Sequence, residues 1–252
     1  MKSNAEWRLW GKSDPLYGVA SWPGRERGGE NPWTDEEFYA LGEDWHDFNT
    51  VWQRTVGYQA GTVLEIGSGA GRITRMLSSA FDRVIATDVS SGMLEYASKR
   101  IPANNISWQI SDGDRIPAAD CSVDAVFSCH VFQHFPSNLA QLNAFKEVQR
   151  VLKTGGTFLV HLSIHVFPQV NGPFSRAARL GYAVFLRLST ARAGIRRLLM
   201  RLGYTPYMHG VSYEMQSLFT DLAAIGFTDL AISAIMVRTG PGVHCCVSGR
   251  KQ

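Results

Sequence analysis

A chain of 252 residues, 45% hydrophobic and 19% charged, can bury the core of one α/β domain with an appendage or insertion, which excludes a largely disordered protein. Its formal net charge of +3 implies no nucleic-acid partner unless the basic residues gather on one face. Cys121, Cys129, Cys245 and Cys246 show neither CxxC nor Cys/His ligand spacing, so no metal site and no disulfide framework are expected. The segment after Met1 lacks an apolar leader and no run of about 18 apolar residues occurs, so a soluble cytoplasmic chain is expected.

In chain order, residues 1–31 mix Trp, Gly and charge without a period and read as an irregular arm anchored by Trp7, Trp10, Tyr17 and Trp22. Thr34 then starts a helix over 35–57, with Glu37 closing a capping box and a break near Gly42. Residues 1–57 thus form an arm with helices, and 58–252 a second unit. That unit alternates: strand 62–66, helix 72–80, strand 83–88, helix 92–100, strands 106–110 and 122–128, helix 139–152, strand 156–162. A helix over 213–225 and strands over 228–235 and 243–248 complete it. Apolar strands separated by helices predict an α/β, Rossmann-like, doubly wound, mostly parallel sheet.

The strongest motif is Val63-Leu-Glu65-Ile-Gly67-Ser-Gly69-Ala-Gly71, a strand running through a glycine loop into a helix. Such a loop admits a ligand close to the backbone, although alone it is a weak signal. Two companions sharpen it. Asp88 ends the next strand, where its carboxylate can accept from both hydroxyls of a ribose or cap the following helix. Asp112-Gly113 ends the third strand, where an acid and an amide suit the edge of an adenine.

With these segments in this order, residues 61–162 resemble the class I S-adenosylmethionine-dependent methyltransferases, in particular their small-molecule branch; VLEIGSGAGRIT, VIATDVSSGML, ISDGDRIP, VDAVFSCHVFQHF and EVQRVLKTGGTFLV carry the resemblance. It implies a seven-stranded sheet closed by a C-terminal antiparallel hairpin, in agreement with the two terminal strands. It also implies S-adenosyl-L-methionine as cofactor, with Glu65, Gly67 and Gly69 around the methionine moiety and Asp88 on the ribose. Met93 would lie against the adenine, Asp112 and Gly113 at its edge, and Cys129 beside the sulfonium.

A sulfonium is an activated methyl donor, so positioning does most of the work and a base is needed only where the acceptor must lose a proton. His130, His134 and His165 are the candidate bases, at the C-terminal ends of the fourth and fifth strands, while His161 reads as buried in strand five. The expected reaction is methylation of a small-molecule acceptor, oxygen preferred over nitrogen or carbon. A non-catalytic binding protein and a lipid-linked or macromolecular substrate are the alternatives. The loop lacks the GxGxxG spacing of NAD sites.

The segment 166–212 is longer than the family's usual link. Phe174, Leu180, Phe185, Leu188, Leu198 and Leu202 recur at helical spacing, with Arg176, Arg179, Arg187, Arg192, Arg196, Arg197 and Arg201 between them. It is expected to form amphipathic helices acting as a lid, or, through 174–202, a dimer or anionic membrane contact.

Overall fold

The computed structural model describes residues 2–165, 211–239 and 242–252. Of the expected insertion, 166–212, residues 166–210 with all its arginines lie outside the described residues. Four helices come first: α1 (Lys2–Ser13), α2 (Pro15–Val19), α3 (Asp35–Ala40) and α4 (Trp45–Thr55), the last two joined by a 3-10 turn, Leu41–Asp44. Then follow β1 (Thr62–Ile66), α5 (Thr74–Ala80), β2 (Arg83–Asp88), α6 (Ser91–Ser98), β3 (Ile106–Ile110), β4 (Val123–Ser128), α7 (Asn138–Val151) and β5 (Leu152–His161). The short strands β6 (Ser163–His165) and β7 (Ser212–Glu214) precede α8 (Met215–Ile225), β8 (Phe227–Met236) and β9 (Val243–Lys251).

Seven strands form one sheet in the order β3-β2-β1-β4-β5-β9-β8. β1 to β5 run parallel, and β9 and β8 close the edge as an antiparallel hairpin. Successive side chains of a strand face opposite ways, and the sequence exploits this on both faces. Leu64, Val126, Phe158 and Val247 meet Phe145 and Val148 of α7 and Leu218 and Leu222 of α8. Val63, Phe127, Leu159 and Cys246 meet Trp45, Phe48 and Trp52 of α4 and Leu77 of α5. A sheet covered on both faces explains why its strands read as continuous apolar runs.

The arm is helical where an irregular segment was expected. α1 and α2 lie on α6, with Leu16 and Met93 in one buried cluster, and the contact depends on Gly11, at which a Cβ would stand 2.9 Å from the Met93 nitrogen. Mid-helix glycine costs helix propensity and reads as a break; close packing on α6 outweighs that cost. Asn4 Nδ2 donates to the Asp112 carbonyl at 2.9 Å and Arg8 Nε to that of Val89 at 3.1 Å, tying the arm to the ends of β2 and β3. The capping box stands as expected, Thr34 and Glu37 each accepting from the other's backbone N–H.

β6 and β7, not anticipated, pair in parallel across the two ends of segment 166–211. The Val211 N–H donates to the Gln133 carbonyl at 2.7 Å, so this return point adjoins the β4–α7 loop. Among the described residues no helix is long and apolar enough to cross a membrane.

Candidate cofactor and acceptor site

In a doubly wound sheet the strand order reverses between two neighbouring strands, and the crevice outside their carboxyl ends is where ligands bind. Here those neighbours are β1 and β4. Their carboxyl ends open onto a cavity of about 560 Å³. The loop after β1 forms its floor. Gly67 and Gly69 have φ of 71° and 53°, and both line the cavity. The Gly67 and Ser68 N–H groups donate to the Thr87 carbonyl at 2.8 and 2.9 Å, fastening the loop to β2. The buried Ser68 Oγ has no hydrogen-bond partner among the described residues.

Asp88 holds the next position. Its Oδ2 accepts from the Gly69 N–H at 2.9 Å and its Oδ1 from the Ser90 N–H at 2.8 Å. Burial raises its pKa, and these backbone bonds work against the shift. A carboxylate has about four acceptor sites, so capacity remains for two hydroxyls of a ribose. Met93, 1% exposed, forms part of the wall beside it.

Two residues expected here stand elsewhere. The Asp112 side chain is exposed and outside the large cavity; its Oδ1 accepts from the N–H groups of Asp114 and Arg115 at 2.8 and 2.9 Å. Its Oδ1 serves its own turn, as an Asp side chain is prone to do, and those bonds hold its pKa below the ordinary range. Gly113 and Asp114 both line the cavity. Glu65 lies beneath the glycine loop, not on the cavity wall, with Thr74 Oγ1 donating to its Oε2 at 2.5 Å.

Burial raises the Glu65 carboxyl to about 7, against the Thr74 bond and the nearby Arg72 charge. The folded state therefore keeps a proton that the unfolded chain releases near pH 4.5, and stability falls as pH rises between those values. Glu65→Gln removes this titration. Its melting temperature relative to the native chain is expected to climb from pH 5 to pH 8, by the equivalent of up to about 3 kcal/mol. Parallel melting curves across that range would refute a buried, proton-holding Glu65.

The cavity is also lined by Cys129, His130, His134 and His244. Burial pushes the Cys129 thiol up to about 12, so it is a neutral wall rather than a nucleophile. His130 follows β4 with φ of 61°, an unusual conformation for a residue with a Cβ. Burial lowers His130 to about 2 and His161 to about 3. His134 packs edge-on against Trp7, with centroids 5.2 Å apart, and its Nε2 lies 3.2 Å from Gln133 Nε2. His165 is outside the cavity lining; its Nδ1 pairs with Ser212 Oγ at 2.6 Å in the β6–β7 ribbon, because β5 ends at His161 and the chain turns away.

Sequence reasoning missed four contributors. Arg72 Nη1 donates to Asp44 Oδ2 at 3.2 Å and to the Leu41 carbonyl at 3.1 Å, placing a paired cation on the wall. Asp44 also accepts from Thr239 Oγ1 at 2.7 Å. His244 comes from the terminal hairpin, and the arm supplies Trp7, Val19 and Trp22. Only the arm carried a sequence signal, its tryptophans.

The fold and this cavity define a nucleoside-binding, doubly wound α/β protein. Residues 64–160 match the family model described as "Methyltransferase domain". The ubiquinone/menaquinone biosynthesis C-methyltransferase UbiE of Desulfotalea psychrophila (strain LSv54 / DSM 12343) is 35% identical over 99 residues, 38% of this chain and 39% of that protein. A malonyl-acyl-carrier protein O-methyltransferase of Marinomonas sp. (strain MWYL1) is 39% identical over 101 residues, 39% of this chain and 36% of that protein. The chain thus spans well under half the length of these curated relatives. The crystal structure of magnesium protoporphyrin IX methyltransferase from Synechocystis PCC 6803 with bound SAM superposes with a TM-score of 0.60 at 14% identity, over 100% of this chain and 98% of that one. Residues 64–160 are thus similar to a methyltransferase domain, and the whole chain shares the fold of the solved methyltransferase.

The residues present fit S-adenosyl-L-methionine, the cofactor of this family. Gly67 and Gly69 line the cavity where the amino-acid moiety would lie, Asp88 would offer acceptors to the ribose, and Gly113 and Asp114 would edge the base.

Proposed function

We infer that this chain transfers the methyl group of S-adenosyl-L-methionine to a small, largely apolar acceptor, on oxygen in preference to nitrogen or carbon. The supporting observation is that one continuous cavity is lined both by Gly67, Asp88 and Gly113, where the nucleoside is expected, and by His130, His134 and His244. When bound, the cofactor supplies a methyl group already activated on a sulfonium. The work left to the chain is alignment of an acceptor lone pair and exclusion of water. Trp7, Val19, Leu41, Phe135 and Val237 give the cavity apolar walls, which favour an aromatic or polyketide-like skeleton over a sugar.

The histidine-lined end favours an acceptor that donates an O–H. His130 and His161, held neutral by burial, are hydrogen-bonding groups rather than strong bases; His134 and His244, which line the cavity with His130, orient the hydroxyl. The relatives' printed names divide between C- and O-methyltransferases, so the transferred atom is what the experiment must read.

Purified protein incubated with methyl-labelled S-adenosylmethionine and a panel of phenols, carboxylic acids and quinols is expected to label oxygen in an apolar phenol or acid. His134→Gln should lower kcat by about tenfold or more, with cofactor affinity within about twofold. Cofactor binding without transfer to any acceptor class would contradict the enzymatic reading and leave a binding protein.

A further inference from the structure

The sheet order brings together three residues that are far apart in sequence. β4, β5 and β9 are neighbours, and because β9 runs antiparallel its beginning lies beside the carboxyl ends of the other two. His130 follows β4, His161 ends β5 and His244 opens β9. The imidazole centroids are 4.5 Å apart for His130–His161, 4.7 Å for His130–His244 and 5.0 Å for His161–His244. The ring planes are inclined by 57°, 83° and 63°, so the rings splay instead of stacking. One nitrogen of each lies within 4.8 Å of those of the other two.

We propose that His130, His161 and His244 form a binding site for a divalent transition-metal ion of the zinc class, its open coordination position facing the acceptor end of the cavity. Three imidazoles without thiolate or further carboxylate suit Zn²⁺ and its neighbours, and three protein ligands with one free position is the arrangement of catalytic rather than structural zinc. An ion with bonds of about 2.1 Å holds tetrahedral ligands about 3.4 Å apart, so the rings close by at most about 1.4 Å, a side-chain rotation. His161 Nδ1 now accepts the His130 N–H at 3.2 Å; that long bond is worth about 1 kcal/mol, little beside metal binding. Arg72, whose charge reaches all three imidazoles, is paired with Asp44 at 3.2 Å. His130 and His244 line the cavity while His161 stands behind them, which sets the direction of the open position. The unusual backbone of His130, φ 61°, is what turns its ring towards the other two, the kind of local strain that gathers at ligand sites.

The ion's site is independent of the cofactor. Its place at the acceptor end rests on the function inferred above, where an oxygen of the acceptor would be the fourth ligand.

The test uses tag-free full-length protein, stripped with chelator and titrated with Co²⁺ and Zn²⁺. One Co²⁺ per chain is expected, with intense four- or five-coordinate visible bands that Zn²⁺ displaces. His130→Gln and His244→Gln, both partly exposed and checked for native circular dichroism, should each weaken Co²⁺ by at least about tenfold. Asp88→Ala should bind Co²⁺ like the native chain while losing S-adenosylmethionine, which separates failure of the metal site from failure of the cofactor site. Absence of stoichiometric Co²⁺ and Zn²⁺ binding, or undiminished binding by both histidine variants, would overturn the proposal.

Discussion

Gly67→Ala is expected to weaken S-adenosylmethionine binding by at least about 100-fold, near 2.7 kcal/mol, and to lower stability by roughly 1–3 kcal/mol. Two effects combine. Gly67 has φ of 71°, a region costly to any residue with a Cβ. A Cβ there would also stand 2.3 Å from Val131 Cγ2, so the loop or Val131 has to move. Val131 follows His130, and both line the cavity, so a shift reaches the histidines as well as the glycine loop. Gly155→Ala is the control: its φ is 77° but nothing lies within 4 Å of the added Cβ. It should show the conformational cost alone, about 1–2 kcal/mol, with unchanged cofactor affinity. Calorimetric titration and urea unfolding of both variants separate the contributions. Equal loss of affinity in the two would mean that the clash with Val131 is not what governs the loop.

Trp52→Ala is the largest stability loss anticipated, roughly 3–5 kcal/mol. The side chain is 0% exposed and its ring lies 4.8 Å from Tyr58, 6.0 Å from Phe127 and 6.4 Å from both Trp45 and Phe81. Its Nε1 donates to Thr157 Oγ1 at 3.2 Å, and Thr157 in turn donates to the Gly57 carbonyl at 2.6 Å. The indole joins α4 to β5 through both packing and a buried hydrogen bond. Truncation empties the space between helix and sheet and leaves Thr157 with a lone pair unmet. A urea-unfolding change below about 1 kcal/mol would contradict this place for α4 in the core.

Local signals explain which parts of this architecture are legible in one sequence. β1, β2 and β3 occupy the ranges expected for them, because short apolar runs ending at Gly or Asp leave little freedom in a doubly wound sheet. Gly67, Gly69, Asp88, Met93, Gly113, Cys129, His130 and His134 all line the cavity, since each lies at or shortly after the carboxyl end of a strand. The failures share a cause, which is dependence on atoms distant in sequence. α1 is missed because its stability comes from contact with α6. Asp112 and Asp114 are equivalent acids in a linear reading; only the turn geometry, in which Asp112 Oδ1 caps its own loop, leaves Asp114 on the cavity lining. Glu65 points away from the cavity because the strand's alternation buries it against Thr74. His244 joins His130 and His161 only through the antiparallel pairing of β9 with β5, which no spacing motif encodes.

Asp88 anchors the account most directly, because it holds the Gly69 amide and, on this reading, the ribose. The decisive measurement is calorimetric titration of the native chain and of Asp88→Ala with S-adenosylmethionine and S-adenosylhomocysteine. The account predicts one site per chain for both ligands, weakened by about 100-fold or more in a variant that stays folded. Failure of the folded native chain to bind either ligand, or undiminished binding by Asp88→Ala, would contradict it.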